Sequence, residues 1–282
     1  MSNLRWGFKT APQHTTYDDI RELWLKGDEH PAYEHAWLFD HFAPIAGSID
    51  GDCLEGYVAL AALAAETKRL RVGLMVAGNT YRHPAVTAKQ IATLDRISHG
   101  RVDFGFGAGW NVYEHESMGI PLYAPGKRLR MFAEACEVIR RLFTQHLTDF
   151  DGEHYQLKDA RSEPKPIQKP YPPFVIGGGG EKVTLKIAAK YADIWNSNDS
   201  DRETFARKVR ILHEHCATVG RNPDDIELSV QYRVDPTNLA LARDVIAGVV
   251  EEGATHIVLY CPSPWPDDIL DRMAEEIIGK VG

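Results

Sequence analysis

The sequence lacks the features that would place it in or across a membrane. No run of about 18 consecutive apolar residues occurs in its 282 residues, so we expect no membrane-spanning helix. The first six residues contain no apolar core of a signal peptide, and they lead directly into a segment with strand character. The sequence therefore predicts a cytoplasmic protein without a membrane partner.

Cysteine and positive charge are scarce as well. The four cysteines are scattered without CxxC spacing, which favours reduced, structural thiols over disulfides. The formal net charge is −8 at pH 7, with 40 acidic against 32 basic side chains. Such a surface has no basic field that would collect the phosphates of a nucleic acid. We expect a small-molecule substrate as the partner, and no nucleic acid.

The chain does contain a regular alternation of strand and helix patterns. Parallel strands need a helical crossover between each pair, so eight strand-then-helix units in strict order predict a (β/α)8 barrel, the TIM-barrel architecture. Hydrophobic residues make up 44% of the chain, enough for one large core, and residues 1–282 are predicted to form a single domain. The main rival is a doubly wound open sheet, which usually needs fewer units.

The boundaries of these units follow from apolar runs and helix punctuation. The predicted strands are Arg5–Lys9, Ala36–Asp40, Arg71–Ala77, Val102–Ala108, Pro173–Gly177, Asp193–Asn196, Ile226–Gln231 and His256–Cys261. The predicted helices are Tyr17–Gly27, Glu55–Thr67, Ala85–Ile97, Lys127–Phe143, Lys182–Tyr191, Arg202–Val219, Leu239–Glu251 and Pro266–Ile278. Asp201 is placed to cap the helix that begins at Arg202. The polar, proline-rich segment 149–172 interrupts the rhythm, and we interpret it as an excursion between strands four and five.

Catalytic residues of such barrels lie at the carboxyl ends of the strands. Along the fourth strand, Phe104 and Phe106 point to one face and Gly105, Gly107 and Gly109 to the other. A row of glycines facing the lumen indicates the close approach of a flat ligand; tight packing or a bulge is the alternative.

Four further glycines, Gly177 to Gly180, follow the fifth strand and precede a helix. Their backbone N–H groups can form a nest for an anion at the positive end of that helix, and a phosphate is the natural occupant. The alternative is a plain flexible loop. The run matches neither the GxGxxG nor the Walker pattern.

Polar side chains follow the second and third strands. Asp40 and His41 can bind a heteroaromatic ring and exchange a proton, and Asn79 offers an amide that suits a pyrimidine edge. Arg82 could meet an anionic tail or lie at the surface. A metal site is not expected, because the first strand ends in Phe8-Lys9-Thr10 without ligands.

At these residues the chain resembles the luciferase-like monooxygenase superfamily, and within it the deazaflavin branch that uses coenzyme F420. The matching stretches run in family order from residue 36 to residue 196. They are Asp40-His41-Phe42, Asn79 to Ala85, Leu94 to Arg101, Gly105 to Trp110, Arg128, Pro166 to Pro170, the four glycines, and Tyr191 to Asn196.

The resemblance implies a barrel that holds the cofactor ring at its mouth, with a bulge in the third strand and a non-proline cis peptide at Leu74-Met75 or close by. It implies His41 as the proton-transfer residue and a homodimer as the assembly. The implied cofactor-binding residues are Asp40, Leu74, Met75, Ala77, Asn79, Gly107, Ala108, Gly109, Gly177, Gly178, Gly179 and Gly180. Trp110, Tyr113 and Asn196 are predicted to line the substrate pocket, and Arg82, Lys182 and Arg202 are candidates for the cofactor tail.

One departure from the family bears on the substrate. Sugar-phosphate dehydrogenases of this family carry a catalytic Glu where this chain has Trp110. The expected function is therefore hydride transfer between F420 and a small organic substrate that is not a sugar phosphate. An FMN-dependent monooxygenase of the same superfamily is the alternative, and a metal-dependent hydrolase or a binding protein without turnover are further hypotheses.

Overall fold

Parallel strands close around a lumen in the computed structural model, which describes residues 4–281. Met1 to Asn3, part of the segment predicted to lack a signal peptide, lie outside the described residues. The strands are β1 (Arg5–Lys9), β2 (His35–Leu38), β3 (Arg71–Leu74), β4 (Ala77–Gly78), β5 (Phe104–Gly107), β6 (Thr148–Asp151), β7 (Gln156–Ala160), β8 (Phe174–Gly177), β9 (Ile194–Ser197), β10 (Glu227–Arg233) and β11 (His256–Tyr260). All except β6 and β7 form one sheet in the order β3-β2-β1-β11-β10-β9-β8-β5-β4. Because β3 and β4 are two halves of one interrupted strand, this sheet is the predicted eight-stranded barrel.

Helices cover the outside of the barrel. They are α1 (Tyr17–Glu29), α2 (Gly56–Glu66), α3 (Pro84–Ile97), α4 (Val112–Met118), α5 (Pro125–Thr144), α6 (Thr184–Tyr191), α7 (Arg202–Val219), α8 (Leu239–Glu251) and α9 (Ile269–Glu276). Eight of these correspond to predicted helices with ends that differ by a few residues, and α4 was not predicted. The predicted cap is confirmed, since the Asp201 carboxylate accepts the N–H of Thr204 at 2.9 Å.

The two faces of the strands are packed differently. Phe104 and Phe106 point outward and pack against Phe132 and Phe174 in the layer between sheet and helices. The lumen holds a small separate cluster of apolar side chains: Trp37, Met75, Val175, Ile194 and Val258. The bulky side chains of the fourth barrel strand therefore face the helices, as the alternation predicts.

The amino-terminal end of the barrel, which we call the floor, is filled with paired polar groups. His35 and His256 are fully buried and stack with ring centroids 3.9 Å apart. Arg71 binds the buried Asp103 through two nitrogens at 2.5 and 2.9 Å. Burial lowers the pKa of both histidines well below its ordinary value, so both rings are neutral.

The predicted excursion between strands four and five is present, and it has secondary structure that the sequence did not predict. It contains the antiparallel hairpin β6–β7, which packs next to α5. The Glu134 carboxylate on α5 accepts three backbone N–H groups of the hairpin turn, between 2.9 and 3.1 Å. The alternation of Phe150 and Leu157 with charged residues was too short to distinguish from a polar loop.

The helices and cysteines of the described part of the chain bear on two of the composition-based expectations. No helix there is both long and apolar enough to cross a membrane. The four cysteines are free thiols, and Cys136, Cys216 and Cys261 are buried. The single-domain assignment stays a prediction.

Candidate active site

A cavity of about 490 Å³ opens at the carboxyl ends of the barrel strands, which we call the mouth. It is lined from several strand ends at once, as catalytic sites of this architecture are. The predicted residues that line it are Asp40, His41, Met75, Ala77, Gly107, Ala108, Gly109, Trp110, Gly177, Gly178 and Asn196. Leu74, Asn79, Tyr113, Gly179 and Gly180 are not among its lining residues.

The third barrel strand breaks at the cavity. A cis peptide joins Met75 to Val76, one residue after the position named from the resemblance. Met75 and Val76 line the cavity, whereas Leu74 is buried in the large hydrophobic core between the sheet and the helices. The interruption between β3 and β4 thus turns two apolar residues toward the mouth.

The glycines of the neighbouring strands make room for this interruption. A Cβ atom added at Gly107 would lie 2.8 Å from Val76 Cγ2, and one added at Gly177 would lie 3.0 Å from the same side chain. Close packing against Val76 therefore explains part of the glycine row that the sequence analysis assigned to a ligand. Both glycines still line the cavity, so their backbones form its wall.

Asp40 is tied into the wall by an ion pair. Its carboxylate accepts two hydrogen bonds from Arg82, at 2.7 and 2.9 Å, and one from the Gly78 N–H at 2.9 Å. Burial raises the pKa of Asp40, while these three donors favour the ionised form, and we read the bidentate geometry as an ionised pair. Arg82 also contacts Glu55, so its guanidinium is occupied by two carboxylates rather than free for a cofactor tail.

His41 is held by a buried acid that the sequence analysis did not identify. Its Nδ1 lies 2.9 Å from Oε2 of Glu114, a fully buried residue of α4. Glu114 also accepts the N–H groups of Phe42 and Ala43, at 2.7 and 3.1 Å, and the hydroxyl of Tyr81. Burial alone would raise the pKa of Glu114, but hydrogen bonds from His41 and Tyr81 hold it below its ordinary value.

This arrangement fixes the chemistry available to His41. An ionised Glu114 makes Nδ1 the protonated nitrogen and leaves Nε2 without a protein partner among residues 4–281. His41 lines the cavity, and the ring of Trp110 stands edge-on to it at 5.4 Å. His41 can therefore give or take a proton at Nε2 while Glu114 stabilises the charged ring.

Asn79, Asn196 and Tyr113 occupy different environments. Asn79 is buried and donates to the Tyr155 hydroxyl of the hairpin at 3.2 Å, while its Oδ1 has no partner among the described residues. Asn196 lies in the cavity wall and donates to Ser229 at 2.8 Å. Tyr113, a residue of α4, is about half exposed. Of these three, only Asn196 lines the cavity.

The loop of four glycines has the features of an anion nest. The backbone N–H groups of Gly179 and Gly180 have no acceptor within residues 4–281, and no side chain caps α6. A Cβ atom at Gly179 would overlap Nζ of Lys208, a lysine of α7 that the sequence analysis did not single out. Lys208 pairs with Asp199, which holds its ammonium group beside the loop.

The other tail candidates lie elsewhere. Arg202 is paired with Glu251 and Glu252 on the outer surface, at 2.5 and 2.7 Å. Lys182 is exposed immediately before α6. Lys182 is thus the candidate that stays close to the glycine loop.

Comparison with known proteins places this chain in a family. The family model described as luciferase-like monooxygenase matches residues 3–246, and the chain belongs to this family. An uncharacterized protein of Mycobacterium tuberculosis is 34% identical over 79% of this chain and 76% of its own length. An F420-dependent glucose-6-phosphate dehydrogenase of Kineococcus radiotolerans is 30% identical over 83% of this chain and 69% of its own length.

Solved structures confirm the barrel. An F420-dependent secondary alcohol dehydrogenase in complex with an F420-acetone adduct aligns with a TM-score of 0.87 at 20% identity, over the whole of both chains. The chain is accordingly an enzyme on a TIM-barrel scaffold, and F420-dependent oxidoreductases are found among both its relatives and its structural neighbours.

Proposed function

We propose that this enzyme transfers a hydride between coenzyme F420 and a small organic substrate that is not a sugar phosphate. The observation that carries the proposal is the His41–Glu114 pair, which presents a proton-transfer nitrogen to a cavity walled by glycines and apolar residues. Relatives and a structural neighbour named for F420 support the choice of cofactor.

The residues present fit a deazaflavin. Met75, Val76 and the backbone of Gly107 to Gly109 would hold a flat ring, and the unpartnered N–H groups of Gly179 and Gly180, with Lys208, would hold a phosphate. When bound, F420 supplies a carbon that accepts or donates a hydride. The chain supplies orientation and a site from which water can be displaced.

His41 would manage the proton that accompanies the hydride. In the oxidation of an alcohol, Nε2 takes the hydroxyl proton as the hydride leaves the carbinol carbon, and in the reverse direction it returns that proton. Ionised Glu114 stabilises the imidazolium that forms and keeps the ring oriented through Nδ1.

Trp110 supports the exclusion of sugar phosphates. Its ring takes the position of the catalytic Glu that the resemblance assigns to the sugar-phosphate dehydrogenases, and it adds an apolar wall beside His41. A secondary alcohol, an enone or an imine suits such a wall better than a polyhydroxy phosphate does.

Titration with both cofactors tests the proposal. We expect F420 to bind. The absorbance of the bound cofactor should then change when a secondary alcohol, an enone or an imine is added, and it should not change with glucose 6-phosphate. The alternative is an FMN-dependent monooxygenase, because the same glycine loop would hold the FMN phosphate. Tight FMN binding without F420 binding would decide for that alternative, and turnover of glucose 6-phosphate would refute the exclusion.

Two further predictions concern the oligomeric state and the cellular location of the enzyme. The resemblance predicts a homodimer, which light scattering of the purified chain would test. Scattered, free cysteines are consistent with the reducing cytoplasm that the sequence predicts. Cell fractionation would test that location.

A further inference from the structure

Lys9, the last residue of β1, is a buried cation in the wall of the candidate active site. Only 7% of the residue is exposed, and it lines the cavity together with Met75 and Gln231. Phe8, its neighbour, points outward and packs against Trp24. The alternation along β1 therefore turns Lys9 into the lumen.

The ammonium group of Lys9 is held by neutral acceptors alone. It donates to the Met75 carbonyl at 3.1 Å, which is the carbonyl of the cis peptide, and to Oε1 of Gln231 at 2.9 Å. The ring of Tyr260 lies 5.2 Å away. Within the described chain, Lys9 forms no salt bridge with a carboxylate, and one of its three N–H groups has no acceptor.

The two acids nearest the cavity already have other partners. Asp40 is paired with Arg82, and Glu114 accepts hydrogen bonds from His41, Tyr81 and two backbone N–H groups. Burial lowers the pKa of Lys9 only to about 8, so the group is mostly protonated at pH 7. Lys9 is thus a cation of the cavity wall that has no carboxylate within ion-pairing distance among residues 4–281.

A charge of this kind costs stability. Taking an ammonium group out of water is unfavourable unless an opposite charge compensates it. Apolar residues can often replace buried charged residues without lowering the stability of the fold. Met75 and Gln231 orient Lys9 but do not neutralise it. The missing compensation points to a ligand that brings negative charge or electron density into the cavity.

We propose that Lys9 is a positioning residue for the cofactor ring, and that its ammonium group favours the reduced, electron-rich state of that ring over the oxidised state. This inference rests on the proposed F420 function. When bound, the reduced ring of F420 would carry the electron pair of the transferred hydride; the ammonium group of Lys9 would stabilise that electron density, and His41 would hold the proton. Lys9 would thereby set how strongly the site holds each redox state.

Binding constants measured without turnover test this role. Dissociation constants of oxidised and of reduced F420 are determined by anaerobic fluorescence titration for the wild type, Lys9→Met and Lys9→Arg. We expect Lys9→Met to weaken binding of reduced F420 by about tenfold and that of oxidised F420 by less than about twofold, as the loss of a charge-assisted contact predicts. Lys9→Arg, which keeps the charge, should restore most of the difference.

Controls separate this role from a merely structural one. Lys68→Met removes an exposed lysine outside the cavity and should change neither constant. Because an uncompensated buried charge is removed, Lys9→Met should melt at the wild-type temperature or above. If that variant does not fold, Lys9→Gln keeps a donor without the charge and decides the question.

Each other outcome overturns part of the argument. Equal weakening of both redox states in Lys9→Met would show that Lys9 only shapes the cavity, and the inference would be wrong while the F420 function stood. A wild-type protein that binds neither redox state of F420 would refute the proposed function and this inference with it.

Discussion

The floor and the mouth of the barrel both contain buried charged and polar side chains, but these side chains are paired with one another at the floor and partly unpaired at the mouth. At the floor, Arg71 is bound by Asp103 at 2.5 Å and Arg5 by Glu227 at 2.6 Å, so these buried and partly buried charges compensate one another. At the mouth, no carboxylate pairs with Lys9 and no group bonds to Nε2 of His41 among residues 4–281. Self-sufficient pairs stabilise the barrel, whereas groups with unused bonding capacity are available to a ligand.

The largest expected effect is at the mouth. His41→Asn should lower kcat by about a hundredfold to ten-thousandfold, the range of a general acid or base, because Nε2 carries the proton. The dissociation constant of F420 should change little, since the wall residues remain. Steady-state kinetics and cofactor titration measure the two quantities. Unchanged turnover would mean that the proton is carried by another group.

A matched substitution at the floor should lower stability and leave turnover nearly unchanged. Asp103→Asn removes the charge of a buried carboxylate, leaves the partly buried Arg71 without its ion pair, and should lower the free energy of unfolding by about 3 kcal/mol. Turnover per folded molecule should stay near wild type, because Asp103 is remote from the cavity lining. Urea unfolding and active-site titration check both parts. A fall in kcat with unchanged stability would contradict the division between floor and mouth.

Glu114→Gln tests whether catalysis at the mouth requires the buried carboxylate that contacts His41. The amide cannot stabilise a charged His41, so kcat should fall by about tenfold to a hundredfold, the value of one charge-assisted hydrogen bond. Tyr81→Phe serves as the control, because it removes one donor to the same acid and leaves the His41 contact in place. Kinetics in which both variants behave alike would argue against a specific role for the Glu114–His41 contact.

Lowering the pH should reduce the stability of the folded protein through the two buried histidines of the floor. This is the smallest of the four expected effects. His35 and His256 are neutral in the folded protein because burial lowers their pKa, whereas in the unfolded chain each titrates near 6.5. The unfolded state therefore binds more protons below that pH, and stability falls as pH falls, by about 1 kcal/mol per histidine between pH 6.5 and 5.5. Unfolding curves at several pH values measure the slope. His256→Gln should reduce it by about half, and an unchanged slope would assign the acid sensitivity to other groups.

Much of the fold was predictable because its signals are local. Apolar runs set the eight barrel strands, and Asp201 capped its helix as expected, since a cap is read from adjacent residues. The hairpin β6–β7 was missed because its short strands are largely polar. The short helix α4 was missed because an exposed apolar stretch with Val112 and Tyr113 does not show helical periodicity clearly.

The site was predictable in part for the same reason. His41, Gly177 and Gly178 stand next to strand ends and line the cavity, whereas Gly179 and Gly180 lie outside its lining. The roles of these residues stay predictions, and an F420-dependent relative supports the cofactor that they suggest. Glu114 and Lys208 were not found, because each acts on a group far away in the chain. Nothing in the residues beside Glu114 indicates that it will meet His41.

The sequence by itself determined the order of strands and helices, the glycine-rich strand ends and the presence of a lysine at the end of β1. Only the tertiary structure decided which charges are paired. It places Arg82 beside Asp40 and Glu114 beside His41, and within the described residues it places no acid beside Lys9. Local patterns depend on neighbours in the chain, whereas charge compensation depends on which strand ends the closing barrel brings within a few ångströms of one another.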